Sequence, residues 1–466
     1  RAERLVKVPA RTMLSYGTLD AWNGREDKPG RDAREAWRGS LQGSPALGGI
    51  LVYSSTRQEL DVLAKRRGRV LLSETSAAAS TSQEKTLLYV DGRNKRANTL
   101  LVSNPDSREN PIGLRLSLGG ETHFSQTTVP GNGKLEANID ELFGISLEGV
   151  EAGLEVDAQW PVATIMLGRR PTIRGDSLVL ASTGSSGWGS KKDPLVLPGL
   201  KIGGGYRSEF VLLNPSASVI EGQIALFGRD GAAVTQSQPG VMGYRIEPGK
   251  AFSWDLRSSL GVEDTAYAVI TPTTGVAPSA TARLSSWKGM LLLNETEIPA
   301  KMATANAWVP VDTMASIIRH GETYMNFSFA NASRTPATVR LTLFDQMGNE
   351  SGRWEQILPA YAQRNWSLAD LFNVRSYRGA LRLWSDVPLA LSARRITRNM
   401  RGDLIENEIS YVNLTSSGSG LLEFPDISEG QGLATEIFLV NPSGETAEGQ
   451  FRFVGAMGDA KEIILR

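Results

Sequence analysis

The chain has 466 residues, of which 41% are hydrophobic and 21% charged, with 48 Gly, 22 Pro and no Cys. That length exceeds one ordinary domain, and the composition is that of soluble, turn-rich globular domains. Lys plus Arg and Asp plus Glu both number 50, so the basic excess of a nucleic-acid binder is missing. Without Cys there are no disulfides, zinc ribbons, Fe–S clusters or thiol nucleophiles, and two isolated histidines, His123 and His320, cannot build a three-His metal site. No apolar run of about 18 residues is present to span a bilayer as a helix. The chain starts without Met and without a charged-then-apolar leader, and reads as a processed or excerpted segment.

The first stretch, "RLVKVPARTMLSYGTLDAW", reads as a strand, a Pro-Ala turn and a second strand, and "GGILVYSSTRQELDVLAKRR" follows. Within the latter, "STRQELDVLAKRRGRV" is the best helical candidate in the chain, but alignment with later segments makes it a strand pair. Next comes "LLVSNPDS", an apolar strand ending in an Asn-Pro turn. It leads into "IGLRLSLGG", whose alternating polarity puts one face in a core and the other in water. A Pro-Gly turn opens "VPGNGKLEANIDELFG", and "LEVDAQWPVATIMLGRRPTIRGD" reads as a closing pair of strands. The Gly/Ser-rich "ASTGSSGWGSKKD" (181–193) reads as a linker.

The pattern then repeats. Asn104, Asn214, Asn331 and Asn441 each end an apolar strand at a polar turn, and they are spaced 110, 117 and 110 residues apart. Such a period is the size of a whole β-sandwich. Asn caps a turn with its own side chain, and the Pro that follows it in three copies fixes φ. The strand after each turn ends in Gly ("GQIALFGRDG", "ATVRLTLFDQMG", "GQFRFVGAMGD"), as hairpins do. Trp254 and Trp366 fall at matching positions after the Pro turns, with Leu135 or a near neighbour in the first copy. They are expected as core aromatics, a glycan-stacking platform being the alternative. A second linker is "NLTSSGSG" (413–420). The expected fold is therefore all-β, with tandem sandwiches over 81–190, 194–306 and 307–416.

The two ends complement each other. Shifted by 350, the N-terminal stretch lies on "QILPAYAQRNWSLADLF", with Pro9 on Pro359, Tyr16 on Trp366, Asp20 on Asp370 and Trp22 on Phe372. Residues 1–80 thus read as the C-terminal part of a repeat and 421–466 as the N-terminal part of another. A half-sandwich leaves an apolar face and open strand edges. Three arrangements would cover them: neighbouring sequence in a longer array, head-to-tail complementation between copies, or closure of the two parts on each other within one chain.

These turn and core motifs resemble the Ig-like β-sandwich repeats of large secreted and surface proteins of bacteria, with their NPS…D..G…LPAG signature. Repeat two departs from it in its last strand pair, and repeat three has Asn331-Ala332-Ser333. The resemblance implies three complete repeats plus two partial ones in a non-enzymatic, extracytoplasmic protein (secreted, cell-surface or periplasmic). It would form part of a fibre, sheath, stalk or adhesin, or serve as an accessory or glycan-binding subunit of a cell-envelope complex. Expected partners are further copies or neighbouring subunits at the incomplete ends, with a glycan as another candidate and nucleic acid excluded. No catalytic, cofactor-binding or metal-ligating residue is implied. Two "RGD" triplets, Arg174-Gly175-Asp176 and Arg401-Gly402-Asp403, recur at one repeat position. They read as hairpin turns, with receptor binding as the sharper alternative. Six Asn-X-Ser/Thr sequons (Asn294, Asn326, Asn331, Asn349, Asn365, Asn413) read as unmodified turn residues, with glycosylation as the alternative.

Overall fold

A computed structural model describes residues 3–17, 35–43, 47–61, 66–79, 82–184, 193–234, 241–256, 263–274, 276–315, 321–413, 421–430 and 432–459. Most of both expected linkers, His320, Asp20 and Trp22 lie outside them. The N-terminal segment supplies β1 (Glu3–Val8), β2 (Thr12–Gly17), β3 (Glu35–Gly43), β4 (Gly48–Asp61) and β5 (Arg66–Ala78). Unit one comprises β6 (Gln83–Asp91), β7 (Ala97–Ser103), β8 (Asn110–Leu118), β9 (Glu121–Val129), β10 (Lys134–Asn138), β11 (Glu151–Pro171) and β12 (Ser177–Thr183). Unit two comprises β13 (Leu195–Ile202), β14 (Tyr206–Leu213), β15 (Ile220–Gly228), β16 (Val241–Ile246), β17 (Ala251–Leu256), β18 (Asp264–Thr274), β19 (Ser279–Lys288) and β20 (Leu291–Pro299). Unit three comprises β21 (Thr304–Thr313), β22 (Thr323–Ala330), β23 (Ala337–Asp345), β24 (Glu350–Leu358), β25 (Gln363–Ser367), β26 (Tyr377–Arg398) and β27 (Leu404–Glu408). The C-terminal segment adds β28 (Leu421–Glu429), β29 (Leu433–Asn441) and β30 (Ala447–Val454).

All strand pairings between these elements are antiparallel, and the fold is all-β, as the alternating sequences require. The described parts of the helix-like "STRQELDVLAKRRGRV" are paired strands of β4 and β5, with Gln58 opposite Arg69. Unit two shows the layout most simply. One four-stranded sheet has the order β13-β18-β15-β16 and the other β17-β14-β19-β20, with Phe210, Leu212, Ile224 and Ile270 buried between them. In units one and three the expected closing strand pair is instead one continuous strand that serves both sheets. The first part of β11 pairs with β8 as far as Ala158, and its second part pairs with β7 from Ala163. Pro161, which has no N–H to offer, sits in the crossover between them. Asn110 steadies that crossover by exchanging hydrogen bonds with both backbone groups of Trp160 at 2.9 and 3.2 Å. The expected "DL" turns are short helices, α1 (Ile139–Phe143) and α2 (Leu368–Phe372). A capping box between Ser367 and Asp370 starts α2, and Asn373 ends it in the left-handed conformation.

The two end segments complete each other within the chain. One sheet runs β1-β30-β3-β28, with N- and C-terminal strands alternating, and the other β2-β29-β4-β5, with the C-terminal β29 between the N-terminal β2 and β4. The registers run from Glu3↔Arg452 to Val8↔Ala447 and from Thr12↔Asn441 to Gly17↔Glu436. On its other edge β3 carries β28, with Leu421 opposite Gln42. Between the sheets Phe424, Phe451 and Phe453 are fully buried, with ring centres 5.1 and 4.6 Å apart along the stack. Of the three arrangements that would cover the open ends, the chain adopts closure on itself.

The four units also meet in a cycle. Their last strands surround a common axis, with β5 beside β12, β12 beside β20, β20 beside β27, and β27 beside β5. These strands are joined mainly by side chains rather than by a backbone ladder. Thr75 Oγ1 accepts from the Ala181 N–H at 3.0 Å, and Thr296 Oγ1 accepts from the Glu408 N–H at 3.0 Å. At the periphery, the hairpin after each unit's third strand touches the fifth strand of the next. Gly119 O accepts from Lys250 Nζ, Arg229 O from the Gln363 N–H, Asp345 O from Thr12 Oγ1, and Ala456 O from the Lys134 N–H, at 3.5, 3.0, 2.8 and 3.0 Å. The glycines ending three of those hairpins, Gly231, Gly348 and Gly458, have φ of +87°, +81° and +84°. A Cβ on each would lie 2.8, 2.0 and 2.3 Å from a carbonyl oxygen of the following unit. The repeated Gly therefore serves both the turn and the close approach between units.

Candidate functional site

The four repeat asparagines are fully buried and make one set of bonds four times. In unit three, Asn331 Nδ2 donates to the carbonyls of Thr335, Leu358 and Pro359 at 2.8, 3.3 and 3.1 Å, and Oδ1 accepts from the Ser333 N–H at 3.0 Å. Asn104 donates to Arg108, Val129 and Pro130, and Asn214 to Ser218 and Ile246. Asn441 donates to Glu445 close by, and to Val8 and Pro9 at the far end of the sequence, at 2.8, 2.9 and 3.0 Å. Each side chain ties the turn after the second strand to the end of the fourth. In the closing unit that tie joins the two chain ends.

The recurring aromatics occupy one register: Phe210 faces Trp254, Phe327 faces Trp366, and Ile437 faces Tyr16. They are half-buried at the margins of their cores rather than plugs at the centre. Trp254 stacks on Phe210 with centroids 5.3 Å apart, and Trp366 meets Trp354 edge-on at 4.6 Å. In unit one the same register falls on Ala137, opposite Leu100, rather than on Leu135.

The two RGD triplets form matching turns, with Gly175 and Gly402 at φ +74° and +80°. They face each other across the axis and pair reciprocally. Arg174 Nη1 reaches Asp403 Oδ2 at 2.8 Å, and Arg401 bonds Asp176 and Glu59 at 3.1 Å each. Asp176 is only 6% exposed and also meets Arg57. Both carboxylates are thus committed to the partner turn. Of the sequon residues, Asn294 is buried and donates to Glu406 O at 2.8 Å, and Asn331 is the buried turn residue described above.

Sequence reasoning missed the buried charges within and between units. Arg38 lies 3.2 Å from Glu423 and also donates to Asn104 O. Lys134 pairs with Asp426, Arg96 and Arg170 with Glu295, Arg283 with Asp91, and Lys201 with Glu406. Arg395 binds Glu74 at 2.6 Å and Glu436 at 3.1 Å. Burial opposes the charge of Glu295, but Arg96 and Arg170 outweigh it and hold the carboxyl below its usual range. At Glu423 burial wins over the single Arg38, and the carboxyl is pushed up to about 7. Arg38–Glu423 and Arg395–Glu74 span 385 and 321 residues, so no local motif announces them.

Around the axis, Glu74, Ala181, Glu295 and Glu408 occupy equivalent positions, each six residues after a glycine (Gly68, Gly175, Gly289, Gly402). Beside them a cavity of about 490 Å³ opens, lined among others by Ala77, Ala181, Val211, Ala280, Lys301 and Glu408. Among the described residues no group of three or more His, Asp and Glu side chains is placed to hold a metal ion.

No protein-family model matches the chain, and no curated protein matches it. Among solved structures, the Anabaena sensory rhodopsin transducer is similar at 14% identity and TM-score 0.17, over 20% of this chain and 89% of its own. A structure titled Thermotoga maritima 1070 is similar at 13% identity and TM-score 0.21, over 26% of this chain and 100% of its own. A putative secreted protein from Parabacteroides distasonis is similar at 9% identity and TM-score 0.13, over 93% of this chain and 99% of its own. These likenesses are slight and place no activity on this chain.

Proposed function

We propose that this protein is a non-enzymatic structural and interaction protein of the cell exterior or envelope. It acts as one closed ring of four β-sandwich units rather than as a link in a strand-complemented fibre. The observation that carries this reading is the pairing of N-terminal with C-terminal strands in both sheets of the closing unit, which leaves no half-sandwich to recruit a second copy. The reciprocal inter-unit ion pairs support it, because they commit the buried charges to holding units together. Such a ring presents its outer strands to neighbours while its axis stays fixed. Secretion, surface exposure or periplasmic residence fits the Cys-free repeat pattern. The experiment is light scattering on the purified chain across a wide concentration range, with a monomer expected throughout. Concentration-dependent growth into linear multimers would sink the ring reading in favour of the fibre.

A further inference from the structure

The axial cavity is lined by two opposite charges, Lys301 and Glu408, neither of which has a salt-bridge partner within 4.0 Å among the described residues. Glu74 and Glu295, the equivalents of Glu408 on neighbouring strands, are each gripped by at least one guanidinium. Glu408 is 7% exposed and accepts from Ser392 Oγ at 2.6 Å and the Ala393 N–H at 3.2 Å. Among the described residues no cation lies within 4.0 Å of it. Lys301 lines the same cavity, and its ammonium sits 3.9 Å from the centre of the Tyr411 ring. It likewise has no carboxylate within 4.0 Å among the described residues. The two charges therefore form no direct ion pair, though each acts on the other through space and Arg394 also acts on Glu408. Burial pushes Lys301 down to about 8 and Glu408 up to about 7.

The other acids at the cavity are accounted for. Glu297 is held by Arg283 at 3.2 Å and by Ser182 at 2.7 Å, and Asp193 is exposed. Most of the remaining wall is small and apolar, including Ala77, Ala181, Ala280 and Pro299. A volume of about 490 Å³ is in the range of small-molecule sites, which are mainly apolar with a few placed polar groups. Buried charges without a salt-bridge partner are costly, and a ligand that supplies both counter-charges relieves both at once.

We propose that this cavity binds a small zwitterion with an apolar body, of the free α-amino acid class, with its carboxylate on Lys301 and its ammonium on Glu408. The proposal does not depend on whether the ring serves as a scaffold. The test is calorimetric titration of the full chain with leucine and phenylalanine. Each is compared with its deaminated acid (4-methylpentanoate, 3-phenylpropanoate) and its decarboxylated amine (isoamylamine, phenethylamine). At least one amino acid is expected to bind about tenfold or more tighter than either of its single-charge analogues. Lys301→Met should erase its advantage over the amine, and Glu408→Gln its advantage over the acid. No binding of either amino acid at millimolar concentration would overturn the proposal. So would an acid or amine that binds as tightly as its parent, or an amino-acid affinity unchanged in both variants. The ranking on the unaltered chain decides the matter even if a variant fails to fold.

Discussion

Replacing Asn441 by Ala perturbs the closure at one atom group. Its Nδ2 donates to Val8 O, Pro9 O and Glu445 O at 2.9, 3.0 and 2.8 Å, and its Oδ1 accepts from Ser443 N–H and Oγ at 3.0 and 2.7 Å. An amide has two donor protons, so three carbonyls share two hydrogens. Counting four effective bonds at about 1 kcal/mol net each gives a loss of about 4 kcal/mol, and buried carbonyls left without a donor raise it further. The loss has a location as well as a size. Asn331→Ala breaks the same bonds inside unit three, whereas Asn441→Ala frees the N-terminal strands from the C-terminal ones. Urea titration gives the size, and hydrogen exchange gives the place. Faster exchange is expected across β1, β2 and β30 in Asn441→Ala, and across β22 to β25 in Asn331→Ala. A destabilisation below about 1 kcal/mol, or unchanged exchange in β1 and β2, would refute the reasoning.

Gly348→Ala places a Cβ 2.0 Å from Ala10 O at a residue with φ +81°, so both strain and clash oppose it. A loss of about 2 kcal/mol or more is expected by denaturant titration, against a near-neutral effect for Ala at Gly113, whose nearest neighbour is 3.7 Å away. The Glu423 carboxyl, facing Arg38 and Ser103 with Arg452 nearby, is raised by burial from 4.5 to about 7 in the folded chain. Between those values the folded state holds a proton that the unfolded state has lost, so stability falls as pH rises through this window. Full titration is worth about 3 kcal/mol at roughly 1.4 kcal/mol per pH unit. Glu423→Gln should flatten that part of the pH–stability curve, and an unaltered curve would count against the assignment.

The sequence carried the strands and the ruler. Period-two alternation and the recurring Asn located the second and third strands of each unit, because both are local signals. The 350-residue shift put Tyr16 and Trp366 into one register, and that register recurs in the pairing with Ile437 and Phe327. It could not choose among closures, since the same unsatisfied edges fit a partner copy or the chain's own end. It read β11 and β26 as strand pairs, because a local pattern does not show one strand passing from one sheet to the other through a crossover that holds Pro161 or Pro388. Only the sheet crossover shows why proline is tolerated there. The RGD turns look like display loops until Arg174 is seen on Asp403 and Arg401 on Asp176. The axial cavity is walled in part by alanines drawn from separate units, and alanine carries no motif.

Intrachain closure is tested most directly by a cross-link across its exposed edge. Lys7 and Glu448 stand opposite each other on β1 and β30, with side chains 60% and 55% exposed and 2.6 Å apart as an ion pair. The chain has no cysteine of its own, so Lys7→Cys with Glu448→Cys creates the sole thiol pair. After oxidation, the account predicts one product by mass spectrometry under denaturing, non-reducing conditions: a single chain lighter by two hydrogens, at every protein concentration. Covalent dimers and longer ladders that grow with concentration would contradict it.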